Sequence, residues 1–515
     1  MPRTPARPVI VPPMDGYNRE LVSNGHPPDW QNPVPAERYN LVVIGAGTAG
    51  LVTAGGAALL GARVALVEKH LMGGDCTNVG CVPSKTMIRS ARAIADVHQA
   101  HHFGVLVPEG VQVDFPSVME RLRRVRAEIS ANDSARRMRD EYGVDVFLGE
   151  AVFSSPDTVT VADQTLRFQK AVIATGSSPV QLPIAGLDEV GFLTNETVFN
   201  LTECPKRLTV IGGGYIGCEL AQTFHRLGST VTLLQRGSRI LKKSDPDAAT
   251  LMQQIFADEG INLVLNAEVQ RVKAQGSEKV VEYEVDGESR SATVDEILVG
   301  VGRSPNIEGL RLDVVGVKAD RKKGILIDDY LRTSNPRIYA VGDCCMKWKF
   351  THAADAAARI VIQNALFSIF GIGRRRLSQL TMPWCTYTDP EIAHVGMTAH
   401  EVQERSEAVR TFHISLDDVD RAIADGETNG FAKIHVSKNG DRILGATVVT
   451  RHAGEMINEI TLAMEKGLGL GAIGNVIHPY PTQAEVIRKA ADEYTLSQFT
   501  PFVKKLSSTW LKWQR

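Results

Sequence analysis

Two stretches of the chain repeat one pattern of apolar and small residues. Asn40-Leu-Val-Val-Ile-Gly-Ala-Gly-Thr-Ala-Gly50 runs from an apolar strand through a glycine turn into a small-residue helix, and a second strand, Val64-Ala-Leu-Val-Glu68, follows. Arg207-Leu-Thr-Val-Ile-Gly-Gly-Gly-Tyr-Ile-Gly217, leading to Val231-Thr-Leu-Leu-Gln235, has the same form. Each unit predicts a parallel sheet covered by helices. Lys170-Ala-Val-Ile-Ala-Thr-Gly176 and Asp295-Glu-Ile-Leu-Val-Gly-Val-Gly-Arg303 read as short buried strands ending in glycine turns, and domain junctions are expected near both. From about residue 380 the glycine turns stop. Alternating runs such as Gly430-Phe-Ala-Lys-Ile-His-Val436 and Ile443-Leu-Gly-Ala-Thr-Val-Val449 predict antiparallel strands followed by helices.

Length and charge narrow the class of protein. A chain of 515 residues with 43% hydrophobic content is long enough for three or four packed subdomains. Its net charge of -2 lacks the basic excess that neutralises a phosphate backbone, so no nucleic-acid partner is expected despite the local run Arg121 to Arg126. The apolar stretch from Leu41 to Leu60 is crowded with Gly and Ala and holds the first glycine turn, which argues against a transmembrane segment. The first 36 residues, rich in Pro and polar groups, show no apolar signal region, and a cytoplasmic location is expected. Seven cysteines are too sparse for a secreted disulfide framework; a close pair is instead a candidate for redox or metal chemistry.

Gly45, Gly47 and Gly50 have the spacing of a dinucleotide turn, allowing a tight bend, close approach of a pyrophosphate and packing of helix on strand. Glu68 ends the next strand, where a carboxylate accepts hydrogen bonds from ribose hydroxyls. The second turn, Gly212, Gly214 and Gly217, ends differently: Gln235 holds the place of the acid and Arg236 follows. That exchange favours a 2'-phosphate, hence NADPH, with NADH possible; the plainer reading of Arg236 is a solvated surface charge.

The most informative stretch is Gly73-Gly-Asp-Cys-Thr-Asn-Val-Gly-Cys-Val-Pro-Ser-Lys85. On a regular helix Cys76 and Cys81 would be separated by about 7.5 Å of rise and point apart. A disulfide needs Cα atoms within about 7 Å, so the backbone near Gly80 must be irregular if the pair is to close. A helix beginning near Pro83, with Lys85 beside it, would stabilise a thiolate. Half of a zinc site is the alternative, but no second close Cys or His pair appears at suitable spacing, and no metal is expected.

This stretch, the first glycine turn and Gly-Gly-Gly-Tyr-Ile-Gly-Cys-Glu219 together resemble the class I pyridine nucleotide-disulfide oxidoreductases, in particular their mercuric reductase-like branch, over residues 40 to about 490. The resemblance implies two Rossmann-like domains, binding FAD and NAD(P), plus a C-terminal α+β dimerisation domain. The corresponding limits are an extension over 1–36, FAD-binding parts at 37–180 and 306–378, an NAD(P)-binding domain at 181–305, a dimerisation domain at 379–498 and a tail at 499–515. Gly74, Thr175, Gly176, Gly302 and Asp343 would join the cofactor sites, Asp343 at the ribityl chain. Lys85 and Glu219 would pair near the flavin, and Tyr215 would cover the nicotinamide pocket. Cys81 would be the flavin-proximal thiolate and Cys76 the outer thiol that attacks the acceptor.

Two departures stand out. Asp75 occupies a position that is usually threonine in the family. In Ile477-His-Pro-Tyr-Pro-Thr-Gln-Ala-Glu485, Tyr480 takes the place of the catalytic histidine, with His478 two residues earlier and Glu485 aligned with its glutamate. A phenol is a weak base at neutral pH. Tyrosine here matches mercuric reductases, yet those carry a C-terminal cysteine pair and this chain has no cysteine after Cys385. The acceptor is therefore expected to be a small disulfide, a metal ion or a quinone, the last with the cysteines as an electron store. A redox-sensing flavoprotein docking through its N terminus or its tail is the non-enzymatic reading. In a homodimer, Tyr480 of one subunit would meet the cysteines of the other. Cys344 and Cys345 read as packing beside the flavin, and His352 as a hydrogen-bonded helix residue.

Overall fold

The computed structural model describes residues 9–368, 371–405 and 408–515. In the first unit Asp145–Leu148, Val64–Glu68, Tyr39–Ile44, Gln164–Ile173 and Ile338–Ala340 lie side by side in that order, all parallel. Val42 pairs with Ala65 on one side and Ala171 on the other. Both faces of these strands are covered, which is why their sequence runs continuously apolar instead of alternating. Helix Thr48–Leu59 packs its small residues against helix Thr351–Leu366, so a segment from beyond the second unit closes the first.

The second unit is a four-stranded parallel sheet in the order Asn262–Leu265, Thr230–Gln235, Arg207–Ile211, Glu296–Val299. A three-stranded antiparallel sheet, Ala267–Gln275, Glu278–Val285 and Glu288–Val294, packs beneath it, a feature the sequence reading did not foresee. The C-terminal region is a five-stranded antiparallel sheet, with the expected pair present as Phe431–Ser437 and Ile443–Thr450. Helices Ala453–Glu465 and Glu485–Ser497 cover it.

The segment before the first strand is more than an extension. Helix Gly16–Gly25, capped by Asp15, buries Leu21 and Val22 against the body of the protein. Its Asn18 side chain meets the fully buried Arg126 guanidinium at 2.7 Å, and Asp15 pairs with Arg123 at 2.5 Å. Two members of the local basic run, Arg123 and Arg126, are thus internal anchors for this helix. Among the described residues no helix is long and apolar enough to cross a membrane.

Candidate functional site

The elements converge on one cleft of about 1150 Å³. At one end lies the first glycine turn. Gly45 has φ of 102°, and a Cβ on Gly50 would overlap the Gly45 carbonyl oxygen, so neither position tolerates a side chain. Gly74 sits across from Gly47, where a Cβ would come within 2.6 Å of the Gly47 Cα. The bare peptides and the N-terminus of helix Thr48–Leu59 leave a cradle suited to a pyrophosphate. The Glu68 carboxylate is held at the strand end by the Ala46 and His70 N–H groups, at 2.7 and 2.8 Å, and lines the cleft. Further along, Asp343 accepts a hydrogen bond from the Ser177 hydroxyl at 2.7 Å, beside Thr175 and Gly176. These groups fit a flavin dinucleotide: a bare turn for the phosphates, one carboxylate for the ribose and one for the ribityl chain. Ile10, Val11 and Leu21 from the N-terminal segment supply part of the same wall.

The cysteines lie at the centre. Helix Gly74–Val79 stops at Gly80, whose φ of -133° and ψ of -113° turn the chain into a new helix, Cys81–Gln99. A Cβ on Gly80 would approach the Asp75 carbonyl oxygen to 2.7 Å, so this bend requires glycine. The helix begins at Cys81 itself, not near Pro83 as expected, which sets the sulfur in the first turn, where the helix dipole is positive. The break brings the two free thiols close enough to influence each other's ionisation. The hydrogen bond from Cys76 pushes the Cys81 thiol down to about 6 against the opposing effect of burial, with Thr351 and Lys85 adding to it. Cys76 is pushed up, by the same hydrogen bond and by burial. Cys81 is open to solvent, yet it stands on the cleft floor with protein around it, 3.4 Å from the Thr351 hydroxyl.

Lys85, one turn along the same helix, pairs with Glu219 at 2.8 Å. Burial works against the ammonium charge, but the Glu219 carboxylate outweighs it and holds Lys85 above its usual pKa. Glu219 is nearly inaccessible, and its other oxygen accepts the Tyr387 N–H at 2.9 Å. Lys85 also stands 4.4 Å over the Tyr387 ring. Tyr215, the first residue of helix Tyr215–Arg226, reaches into the cleft 6.2 Å from Phe350, ring centre to ring centre.

The second glycine turn lies outside the cleft, although its helix delivers Tyr215 and Glu219 into it. Gly212 and Gly217 repeat the conformation and the close approach seen at Gly45 and Gly50, with Gly214 as the helix cap. The Gln235 amide folds over the turn, accepting from Gly213 N–H at 2.9 Å and donating to the Arg239 carbonyl at 3.2 Å. Arg236 is exposed and makes no ion pair among the described residues.

Three predicted residues stand away from the cysteines. Tyr480 is 70% exposed and donates to Asp420 at 2.8 Å; His478 bonds Glu459 at 2.8 Å; Glu485 pairs with Arg488 at 3.2 Å. Within this one chain none of them lines the cleft. Gly302 does not line it either; its positive φ turns the chain so that the next residue, Arg303, does. Cys344 and Cys345 stay behind Asp343, bonded to backbone carbonyls, and the His352 ring donates its Nε2–H to the Pro383 carbonyl at 2.7 Å.

Arg303 is the functional-site residue the sequence reading missed. Its guanidinium, largely buried, pairs with Asp75 and donates to the Ser177 hydroxyl at 2.8 Å, with Asp343 3.7 Å away. Asp75, which stands where the family usually has threonine, is therefore tied to Asp343 through one arginine. The only sequence signal was its place after the second strand-and-glycine repeat. Tyr387, Cys385 and Thr351 also line the cleft without having been singled out as site residues.

Comparison with known proteins agrees with this geometry. Residues 39–358 match the pyridine nucleotide-disulphide oxidoreductase family, and residues 382–491 match its dimerisation domain. The chain is similar to mercuric reductase from Staphylococcus aureus, 36% identical over 482 residues, covering 92% of this chain and 87% of the relative. It is also similar to dihydrolipoyl dehydrogenase from Chlamydia muridarum, 34% identical, covering 88% and 96%. Among solved structures, the HOCl-induced flavoprotein disulfide reductase RclA from Escherichia coli superposes with a TM-score of 0.78 at 29% identity, over 88% of this chain and 99% of that one. The protein belongs to the class I pyridine nucleotide-disulfide oxidoreductases. It is an FAD-dependent oxidoreductase of that family, built from FAD- and NAD(P)-binding domains and a C-terminal dimerisation domain.

Proposed function

We propose that the protein takes electrons from NADPH and delivers them through Cys76 and Cys81 to a small disulfide or a soft metal ion. The observation that carries this reading is the pairing of thiols in one cleft: an acidified Cys81 held beside Lys85 and Glu219, and a protonated Cys76 next to it. Bound FAD would supply the two-electron link between the nicotinamide and the cysteines. Glu68, Asp343 and the turn at Gly45, Gly47, Gly50 and Gly74 would hold it, within domain limits of 37–180 and 306–378; Thr175 and Gly176 add backbone to the same wall.

Residues 181–305 would bind the nicotinamide nucleotide, with Gly212, Gly214 and Gly217 at its pyrophosphate and Arg236 on a 2'-phosphate. Tyr215 would close over the nicotinamide. Lys85, fixed by Glu219, keeps positive charge at the cleft floor, which stabilises the Cys81 thiolate against protonation. Cys76, the outer thiol, attacks the acceptor once ionised; thiolate character then sets the rate of exchange. In the homodimer the exposed Tyr480 of one subunit would reach the cysteines of the other, with His478 and Glu485 behind it.

An anaerobic titration with NADPH, followed by offering Hg(II), glutathione disulfide, lipoamide and quinones, tests the reading. Two-electron reduction is expected to give a long-wavelength band from the Cys81 thiolate. Cys76→Ser is expected to abolish turnover of disulfides and Hg(II). Persistence of quinone turnover alone would replace the proposal with a diaphorase, and a protein that stays colourless with added flavin would end it.

A further inference from the structure

The chemistry described so far leaves the last helix, Pro501–Trp513, without a role. It begins cleanly: the Thr500 hydroxyl accepts the Val503 N–H at 3.3 Å and Pro501 takes a first-turn position. None of its residues is buried. At 3.6 residues per turn, Phe502, Val503, Leu506, Trp510 and Trp513 share one face, with Phe499 just before the helix aligned to them. The opposite face carries Lys504, Lys505 and Lys512, with Arg515 beyond. Phe502 is 73% and Trp513 77% exposed, and the Trp510 and Trp513 rings lie 5.2 Å apart. The match to the family's dimerisation domain ends at residue 491, so this helix is an addition to the two matched parts.

We infer that this helix docks the protein on an anionic lipid surface. An exposed apolar stripe this continuous marks a binding face. Charge selects the occupant: from Tyr494 to Arg515 the chain has four cations and not one Asp or Glu. A partner helix or a second copy would call for charges of both signs around the stripe. A one-sign basic face with a tryptophan-rich apolar face is the composition of a helix lying in the headgroup region of anionic membranes. At 13 residues it is about 20 Å long, short of the roughly 30 Å hydrocarbon core, so it lies in the surface and does not span it. Lysine stems run up toward the headgroups while the rings enter the acyl boundary. The inference does not depend on which acceptor the cleft reduces.

The test is flotation of the flavin-loaded full-length protein with vesicles of phosphatidylcholine alone or mixed with phosphatidylglycerol. Binding to the mixed vesicles only, weakened by salt, is expected, with a blue shift of tryptophan emission. Lys504→Glu, Lys505→Glu and Lys512→Glu combined should weaken it by on the order of a hundredfold. Trp510→Ser with Trp513→Ser should remove the emission shift. Both variants should keep the flavin spectrum and NADPH turnover of the parent, which shows that they fold. No flotation with phosphatidylglycerol at physiological salt, or equal flotation with phosphatidylcholine alone, would overturn the inference. So would a change in assembly mass on truncation after Gln498, since that places the helix against a second copy.

Discussion

The two glycine turns are closed by different side chains, and that difference separates a structural duty from a ligand-selecting one. In the first, the Glu68 carboxylate accepts the Ala46 N–H at 2.7 Å; in the second, the Gln235 carbonyl oxygen accepts the Gly213 N–H at 2.9 Å. Each side chain closes its turn from the end of the neighbouring strand, and that task needs only an oxygen. The remaining atom is free to choose. Glu68 brings a negative charge to the cleft beside the His70 N–H, whereas the Gln235 amide binds the Arg239 carbonyl, leaving a neutral site next to Arg236. The first unit also leads directly into the cysteine helices, while the second turns one face of its helix, with Tyr215, Ile216, Glu219 and Leu220, to the cleft.

The largest test of this division is a matched pair of substitutions. Gly50→Ala and Gly217→Ala each force a methyl into a carbonyl of their own turn. Gly50→Ala is expected to yield protein largely without flavin. Gly217→Ala should keep the yellow colour and lose nucleotide affinity by roughly tenfold to a hundredfold, the range of an overpacked site. Flavin absorbance and stopped-flow reduction by NADPH distinguish the two. If both came out equally colourless, the units would not be separable.

Lys85→Met asks how much the second unit's carboxylate matters to the first unit's sulfur. It leaves Glu219 buried without its cation and takes positive charge from Cys81. Thiol-dependent turnover should fall by on the order of a hundredfold, as for loss of a preorganised charge. A smaller step is Arg236→Ala, which should raise KM for NADPH roughly tenfold to a hundredfold and leave NADH unchanged, since only a charge-assisted contact to the phosphate is lost. Equal losses with both nucleotides would make Arg236 a plain surface charge.

The mildest effect is on pH. Cys81 has its pKa lowered to about 6, so its thiolate is present above that value and is protonated as pH falls through it. The long-wavelength band of reduced protein should therefore fade on acidification with a midpoint near 6, and Lys85→Met should move that midpoint upward. A band insensitive to pH across this window would separate the thiolate from the cleft described here.

Local patterns carried much of this protein in the sequence. Continuous apolar strands, the glycine spacing and the cysteine stretch specified the two parallel units and the candidate redox pair, because each depends on neighbours within a few residues. The antiparallel strands near residues 431 and 443 were legible for the same reason: alternation records one covered face. The N-terminal helix was not, since what orders it is Arg126, more than a hundred residues away, reaching Asn18.

By itself the sequence determined which peptide segments turn, which strands are buried and which sulfurs stand close, all consequences of backbone sterics and short-range burial. Only the tertiary structure decided what surrounds those sulfurs. It joined Asp75 to Arg303 and Glu219 to the Tyr387 backbone, beside the Lys85–Glu219 pair that the resemblance had already implied, and it left Tyr480 facing outward. Such pairings come from distant parts of the chain and depend on the shape of the packed domains. Charges meet where burial has made separation costly, and no local pattern records where that will be.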